Sequence, residues 1–472
     1  MPLEGPWQVD ELVPPGAGRP VIRLPELHNV PLTKPVLSVI DHPHFQRLRR
    51  VRQLGPTYLV YPGATHTRFE HSIGVYGMVV RYLQSLLQQD VIRQSLDEVD
   101  VRTVLAAGLL HDIGHYPFAH TLEALHHQGA DAPKHEEVGC QIIAGKAPGL
   151  THEHPPIAEV LNKELGVDAA RVMALMTSSR AELSSPTERF LQSIISSALD
   201  ADKMDYLWRD SVHLGVPYGR NYDRERLLSA LTVNCEGDGL AVTSKGIVSA
   251  QIFLFCRYTM YSEVYWHHTV RSLSAMLEQA WGDLVRHEDL DPGDLLSRLL
   301  TVGDDELLRG LEAEAEPGSI AARTLACISG DRRRPYRRLM TWSRAYQDDV
   351  SQELYARLYA LDPEASKCLV EALREVLGTA SKPLREGDLI LDIPPRDKDR
   401  LPEVTVYHPH GEGAGNYSSL AESSRIVSGM GEDFLAAVKK IRLFVHPDHI
   451  ERLKASKMRI NAVVSEVLNS LL

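Results

Sequence analysis

Cysteine is scarce in this chain: there are five in 472 residues, Cys140, Cys235, Cys256, Cys327 and Cys368, scattered and odd in number. None forms a CxxC pair or a zinc-ribbon spacing. A disulfide framework is therefore excluded as the organising principle, and reduced thiols in a cytoplasmic protein are expected. Long apolar runs are missing as well. No stretch approaches the roughly 20 apolar residues that a membrane span needs. The opening segment, MPLEGPWQVDELVPPGAGRP, holds acids and prolines where a signal peptide would hold an apolar core. Positive charge is in short supply: 51 Lys+Arg stand against 63 Asp+Glu, for a formal net charge of −12. That balance disfavours a nucleic-acid coat. It leaves room for a local basic pocket around a small anion.

What is present is ordinary globular composition, 43% hydrophobic and 24% charged. The length permits two or three domains. Residues 1–20 are rich in Pro and Gly and read as a flexible N-terminal segment. Helical periodicity dominates from residue 36 to about residue 290. In EHSIGVYGMVVRYLQSLL, apolar residues recur at three- and four-residue steps from Ile73 to Leu87. DVRTVLAAGLLHDIGH repeats the pattern, with Gly114 as the expected terminator. PTERFLQSIISSALDADKMDYLWRDS reads as one helix with Pro186 in its first turn. YSEVYWHHTVRSLSAMLEQAWGDLV is a further helix. Residues 287–330 look polar and irregular, and the basic cluster DRRRPYRRL follows. Strand-like pieces come late, at 388–394, 403–409 and 440–447, with a glycine-rich loop before the last and a final helix from about 448. The expected fold is mainly α: a helical core over 21–290 and a smaller α+β lobe over 291–472 that carries oligomer contacts.

Titratable groups collect in four places: RFEHS with His71, HD at 111–112, KHEE with His135, and LDADKMDY with Asp200, Asp202 and Asp205. Imidazole with carboxylate favours a divalent Mn, Fe, Mg or Zn ion. Neighbouring helical residues point about 100° apart, so His111 and Asp112 can share an ion that lies beside a helix end. His71 and Asp202 would then close the shell. Two imidazoles and two carboxylates neutralise a dication and leave positions open, the arrangement that activates water or polarises a phosphoryl group. His115 and His120 stand close enough to move protons or hold phosphate. The plainer reading of each group alone is a helix cap or a surface ion pair, with Asp202 paired to Lys203 or Arg209.

The motif set QLG, RFEHS, HDIGHYPFAH, HEE and DADKMDYLWRD resembles the HD-domain metal-dependent phosphohydrolases, and among them the deoxynucleoside triphosphate triphosphohydrolases. The likeness runs from roughly residue 20 to 450 and makes 21–290 an HD-domain catalytic core. It implies metal ligands His71, His111, Asp112 and Asp202. It places His115, His120, Glu123 and His135 by the reacting phosphate, Glu123 standing where the family has an aspartate. Arg68, Lys203 and Arg257 match cations that clamp a triphosphate. Tyr206 and Asp210 match residues at the sugar and phosphate, and Gln53, Leu54 and Tyr265 match a ribose pocket whose tyrosine excludes a 2′-hydroxyl. In the vertebrate member of the family, guanine nucleotides bind at subunit contacts and assemble a tetramer. Asp41, Gln46 and Arg49 match its guanine-reading residues; Val60, Tyr61, Asp223, Arg226, Lys245, His267 and Arg337 match other parts of its regulatory pockets. Departures occur at Pro20, Arg23 and Thr243, where that pattern has phosphate-contacting residues.

The resemblance thus implies a dNTP substrate, a divalent metal, a GTP or dGTP activator and a homo-oligomer, dimer or tetramer. Other expectations stand beside it. One is a different HD phosphohydrolase: a nucleoside monophosphatase, a cyclic-nucleotide phosphodiesterase or an alarmone hydrolase. Another is a nucleotide-sensing or nucleic-acid-binding protein on the same fold, which the net charge does not favour.

Overall fold

Helices build most of this chain, and five of them carry much of the site: α1 (Arg68–Leu86), α2 (Glu98–Leu110), α3 (His135–Ile143), α4 (Ala201–Leu214) and α5 (Ile247–Met260), with the short helix Ala119–Glu123 adding His120 and Glu123. The computed structural model describes residues 9–13, 20–25, 27–123, 133–149, 153–287, 292–330, 333–345, 349–395, 403–410 and 415–470. Most of the N-terminal segment and Asp331 and Arg332 of the basic cluster lie outside those residues. Residues 10–12, expected to be loose, form a tight turn in which Leu12, like Val9 just before it, is buried.

α1 is apolar on nearly every face, because it is the central rod of the bundle: Ile73, Tyr76, Val79, Tyr82, Leu83 and Leu86 are all fully buried. Each of the aliphatic side chains among them contributes about 1.5–3 kcal/mol through the water it leaves. α2 starts at a capping box between Asp97 and Asp100. It ends at Leu110, short of the expected terminator. Gly114 serves close packing instead: a Cβ there would lie 1.9 Å from the His135 carbonyl oxygen and 2.3 Å from the Gly139 nitrogen. The long helix expected from Pro186 is broken in two, Pro186–Ile195 and α4. Asp200 restarts it by accepting from the Lys203 backbone N–H at 2.7 Å.

The three late strands form where expected, as Leu389–Asp392, Thr405–His408 and Ile441–Val445. All five positions of Ile441–Val445 are buried, as suits the middle of a three-stranded sheet between Arg337–Trp342 and Leu389–Asp392. The basic cluster therefore runs into an edge strand, and a register shift falls between Arg338 and Met340. The 287–330 stretch is not irregular. It holds helices Pro292–Thr301, Asp304–Glu314 and Ile320–Ser329. In Asp304–Glu314 an acidic outer face hid the buried leucines Leu307, Leu308 and Leu311. The glycine-rich segment before the last strand likewise contains the helix Arg425–Asp433.

The chain is mainly α, with sheets concentrated toward the C-terminal part. One apolar cluster joins the helical core to Val404, Val406, Leu420 and Val427, and a second draws on residues 339 to 468. Strand Leu240–Thr243 pairs in parallel with Thr405–His408, so the two lengths of chain on either side of residue 290 share a sheet. Among the described residues, no helix is long and apolar enough to cross a membrane.

Candidate metal centre and its surroundings

The end of α2 sets the geometry. His111 caps that helix with φ −53° and ψ −33°, and its Nδ1 lies 2.9 Å from the Gly108 carbonyl oxygen. A carbonyl only accepts, so Nδ1 carries the proton and Nε2 is turned outward as a bare donor atom. That Nε2 is buried with no hydrogen-bond partner in the chain. It lies 3.4 Å from Asp112 Oδ1 and 3.7 Å from Asp202 Oδ1.

His71, one turn into α1, is oriented from behind. Its Nδ1 lies 2.9 Å from Asp205 Oδ2, and its Nε2 lies 3.1 Å from Asp202 Oδ1 and 3.7 Å from Asp112 Oδ2. Burial works against a charged ring. The hydrogen bonds to Asp202 and Asp205 and the charge of Asp112 outweigh it and push the His71 pKa up to about 10. The same carboxylates that favour a proton on this ring would favour a cation beside it. Burial raises Asp202 too, but the two imidazoles reverse this and hold it well below the usual carboxylate range. His71, His111 and Asp202 offer donor atoms all within 4.8 Å of one another, and Asp112 stands beside them. The donor set, two imidazoles and two carboxylates with one buried ring nitrogen left bare, fits a divalent metal.

The plain alternative for Asp202 does not hold. Lys203 Nζ goes to Asp200 Oδ2 at 2.6 Å, and Arg209 clamps Asp205 at 2.8 and 2.7 Å. Asp202 is left to the histidines.

A second cluster adjoins the first. His115, His120 and His135 offer ring nitrogens within 4.8 Å of one another. The His115 and His135 rings lie 3.8 Å apart. His115 Nδ1 is 3.3 Å from Asp112 Oδ1, so the clusters touch. Burial, joined by the Arg68 charge, pulls the His115 pKa far down and keeps this ring neutral. Glu123 Oε1 accepts from both the backbone N–H and Nδ1 of His135, each at 2.8 Å. Its Oε2 is 3.6 Å from His120 Nδ1. The expected orienter of His120 thus grips His135 more closely, and His120 stays 62% exposed.

Around this pair lie the expected anion and sugar contacts. Arg68 Nη1 donates to Asp112 Oδ2 at 2.6 Å, and Nη2 to the Gln53 carbonyl at 3.3 Å. Arg257 on α5 is buried, with Nε and Nη1 unpartnered in the chain. Burial disfavours its charge, but the Tyr206 and Tyr261 hydroxyls and Asp200 more than compensate. The Tyr206 and Tyr265 rings meet edge-on at 6.2 Å. Tyr265 Oη donates to Asp210 Oδ2 at 2.6 Å. Leu54 opens the turn Gly55–Leu59, next to Gln53.

The candidate regulatory residues sort into groups by their contacts. Asp41 ends the helix Lys34–Ile40; Gln46 Nε2 donates to the Ile40 carbonyl at 2.7 Å, and Arg49 Nε to Gln46 Oε1 at 2.7 Å. Tyr61, next to Val60, meets the His267 ring edge-on at 6.2 Å, and Arg337 begins a strand of the C-terminal sheet. Asp223 caps the helix Arg224–Ser229 through Arg226 N, and Arg226 Nε reaches the Lys245 carbonyl at 3.2 Å.

Sequence reading placed Asp205 in a titratable cluster without a partner, weighed Arg209 only as a mate for Asp202, and gave no role to Glu70, His66 or Arg47. Asp205 and Arg209 stand four apart on α4, a spacing that could have flagged them as an ion pair. Arg47 left no such signal. It is buried, and its guanidinium donates to the carbonyls of His115 and Ile113 at 2.6 Å each.

Two family descriptions match the chain: an HD domain over residues 68–207 and an HD associated region over 222–464. The uncharacterised protein YwfO of Bacillus subtilis is 35% identical over 52% of this chain and 51% of its own length. The deoxynucleoside triphosphate triphosphohydrolase SAMHD1 of Danio rerio is 32% identical over 52% of this chain and 42% of its own. The chain thus spans about half the length of these curated relatives. A solved hypothetical protein from Aquifex aeolicus superposes with a TM-score of 0.66 at 26% identity, covering 93% of this chain and all of that one.

Proposed function

Since the chain belongs to the family of HD-domain proteins that carry the HD-associated region, we propose that it is a metal-dependent phosphohydrolase acting on deoxynucleoside triphosphates. The reaction is dNTP plus water to deoxynucleoside and tripolyphosphate. The observation that carries this reading is the convergence of His71, His111 and Asp202 within 4.8 Å, with Asp112 alongside and a buried, partly unpartnered Arg257 nearby.

His71, His111, Asp112 and Asp202 would hold the cation, for which Mn, Fe, Mg and Zn all suit the donors. Bound there, it supplies charge stabilisation at a phosphoryl oxygen and a more acidic water. The protein does the rest. Arg68, Lys203 and Arg257 hold a polyanion that carries a charge near −4. His115, kept neutral, can accept a proton or a hydrogen bond. Glu123 fixes Nδ1 of His135, so that Nε2 faces the substrate. His120, open to solvent, is placed to protonate the departing 5′-oxygen. Gln53, Leu54, Tyr206, Asp210 and Tyr265 enclose the sugar, and the tyrosine ring takes the space of a 2′-hydroxyl.

Regulation belongs to the same reading. GTP or dGTP would meet Asp41, Gln46 and Arg49, with the other two groups completing pockets between subunits of a dimer or tetramer. The short hold of Arg49 on Gln46, which pre-sets the amide, supports it.

Product analysis on a dNTP panel with a divalent metal, with and without GTP, tests the assignment. Tripolyphosphate from wild type and none from a folded Asp202→Ala variant is the expected result. Pyrophosphate or single phosphates as the only inorganic products would overturn it.

A further inference from the structure

His66 lies in the loop just before α1 and touches two residues of the sugar side, Gln53 and Asp210, the second of which holds Tyr265. Its backbone carbonyl accepts from the Gln53 N–H at 3.0 Å. Its Nε2 lies 2.8 Å from Asp210 Oδ1, and the other oxygen of that carboxylate accepts from Tyr265 Oη at 2.6 Å. Both side chains are sealed from solvent, His66 at 0% and Asp210 at 1% exposure. With a carboxylate as partner, Nε2 is the donor.

The other face of this arrangement is costly. His66 Nδ1 is buried with no hydrogen-bond partner in the chain. The ring stacks on His213 at 4.3 Å and 16°. A leucine or phenylalanine could fill that space without a bare nitrogen. What only the imidazole supplies is the N–H on Asp210. The loop is also seated tightly: a Cβ on Gly63 would fall 2.1 Å from the His213 carbonyl oxygen. His213 Nε2 in turn meets Glu70 Oε1 at 3.0 Å, and Glu70 accepts from Arg209 at 2.7 Å. Arg209 clamps Asp205, which holds His71. The brace behind the sugar and the brace behind the metal ligands are one hydrogen-bonded and stacked network.

We propose that His66 is a specificity-determining positioning residue: by fixing Asp210 it holds Tyr265 across the space of a 2′-hydroxyl, and so sets the preference for deoxyribonucleoside over ribonucleoside triphosphates. This inference rests on the function proposed above. A tyrosine tethered only at its Cβ can swing aside about χ1; tethered also at its hydroxyl to an immobile carboxylate, it cannot. Exclusion by a wall depends on how firmly the wall is held.

The test uses the full-length, metal-loaded protein and follows tripolyphosphate release from dATP and ATP. In His66→Leu, the ratio of kcat/KM for dATP over ATP is expected to fall about tenfold or more. In His66→Gln, whose amide can still donate to Asp210, the ratio should stay within about twofold of wild type. Should the leucine variant not fold, Tyr265→Phe carries the same test, since it cuts the tether and keeps the ring. A parallel fall for both nucleotides with an unchanged ratio in His66→Leu, or in Tyr265→Phe where the leucine variant does not fold, overturns the proposal and leaves His66 a structural brace. If wild type forms tripolyphosphate from no dNTP, the assigned reaction falls and this gate with it. If wild type forms it but the ratio does not move, the gate alone falls.

Discussion

Asp205 Oδ2 lies 2.9 Å from His71 Nδ1, and this contact turns the other ring nitrogen of His71 toward Asp202. A carboxylate behind a ligating histidine fixes both tautomer and ring angle. Asp205 is itself fixed, by the two-pronged hold of Arg209.

Replacing Asp205 by Asn keeps the volume but removes the charge that His71 and Arg209 both use. Metal affinity should fall about 10–100-fold, and excess metal should restore turnover. Titration of metal content against free metal, on wild type and Asp205→Asn, checks this. Equal affinities would mean that the contact behind His71 has no influence on the ion.

Gly74 on α1 marks the place where that same pair packs. A Cβ there would come 2.1 Å from Arg209 Nη2 and 2.2 Å from Asp205 Oδ1. Since both are buried and mutually held, neither can yield cheaply. Gly74→Ala should lower stability by roughly 2 kcal/mol or more, despite alanine's better helix propensity. Denaturant unfolding measures it, and a stabilised alanine variant would contradict the geometry.

Arg47 holds the loop after Asp112 by its carbonyls. Burial pulls its pKa down to about 10, which still leaves it charged at neutral pH. A lysine is a point charge and cannot span both carbonyls as the guanidinium fork does. Arg47→Lys should therefore shift His115 and cost about 10–100-fold in kcat, with metal content kept. A kcat equal to wild type would show that the loop needs no such hold.

Asp304 gives the pH dependence. It is 1% exposed, its Oδ2 accepts from the Arg52 N–H at 2.8 Å, and burial pushes its pKa up to about 6. A raised carboxyl pKa means that the folded protein holds the proton more tightly than the unfolded chain. The resulting stability is present below the ordinary carboxylate pKa and is lost as pH rises through about 6. Asp304→Asn cannot ionise and keeps an acceptor for Arg52. It should match wild type near pH 4 and exceed it by about 1–3 kcal/mol at pH 8. Thermal melts across that range decide; a gap that narrows with rising pH would be the wrong sign.

The sequence was readable wherever periodicity and capping act locally. α1 and α2, the first-turn proline at Pro186 and the three late strands all came from spacing and apolar pattern. Local signals failed where the outcome was set at a distance. The break before Ala201 follows from Asp200 capping from a fully buried position. The helix Asp304–Glu314 was masked by its acidic face. Gly114 was read as a stop, but its lack of a side chain answers to α3, which presses against it.

The site divides in the same way. His71, His111, Asp112 and Asp202 were named from the joint occurrence of imidazoles and carboxylates in spaced motifs and from the family resemblance those motifs carry, since any one of the chain's 21 histidines says little by itself. Which of them meet was decided by packing. Asp202 faces His71 because Lys203 is taken by Asp200, and His111 bares Nε2 because Gly108 takes its other nitrogen. Residue types and local helical order are properties of short stretches, and the sequence by itself determined those. The convergence of these four candidate ligands, and the bracing of His66, Arg47 and Asp205 around them, depends on contacts across tens to more than a hundred residues. Only the tertiary structure could decide it, since no local signal encodes a distance between remote helices.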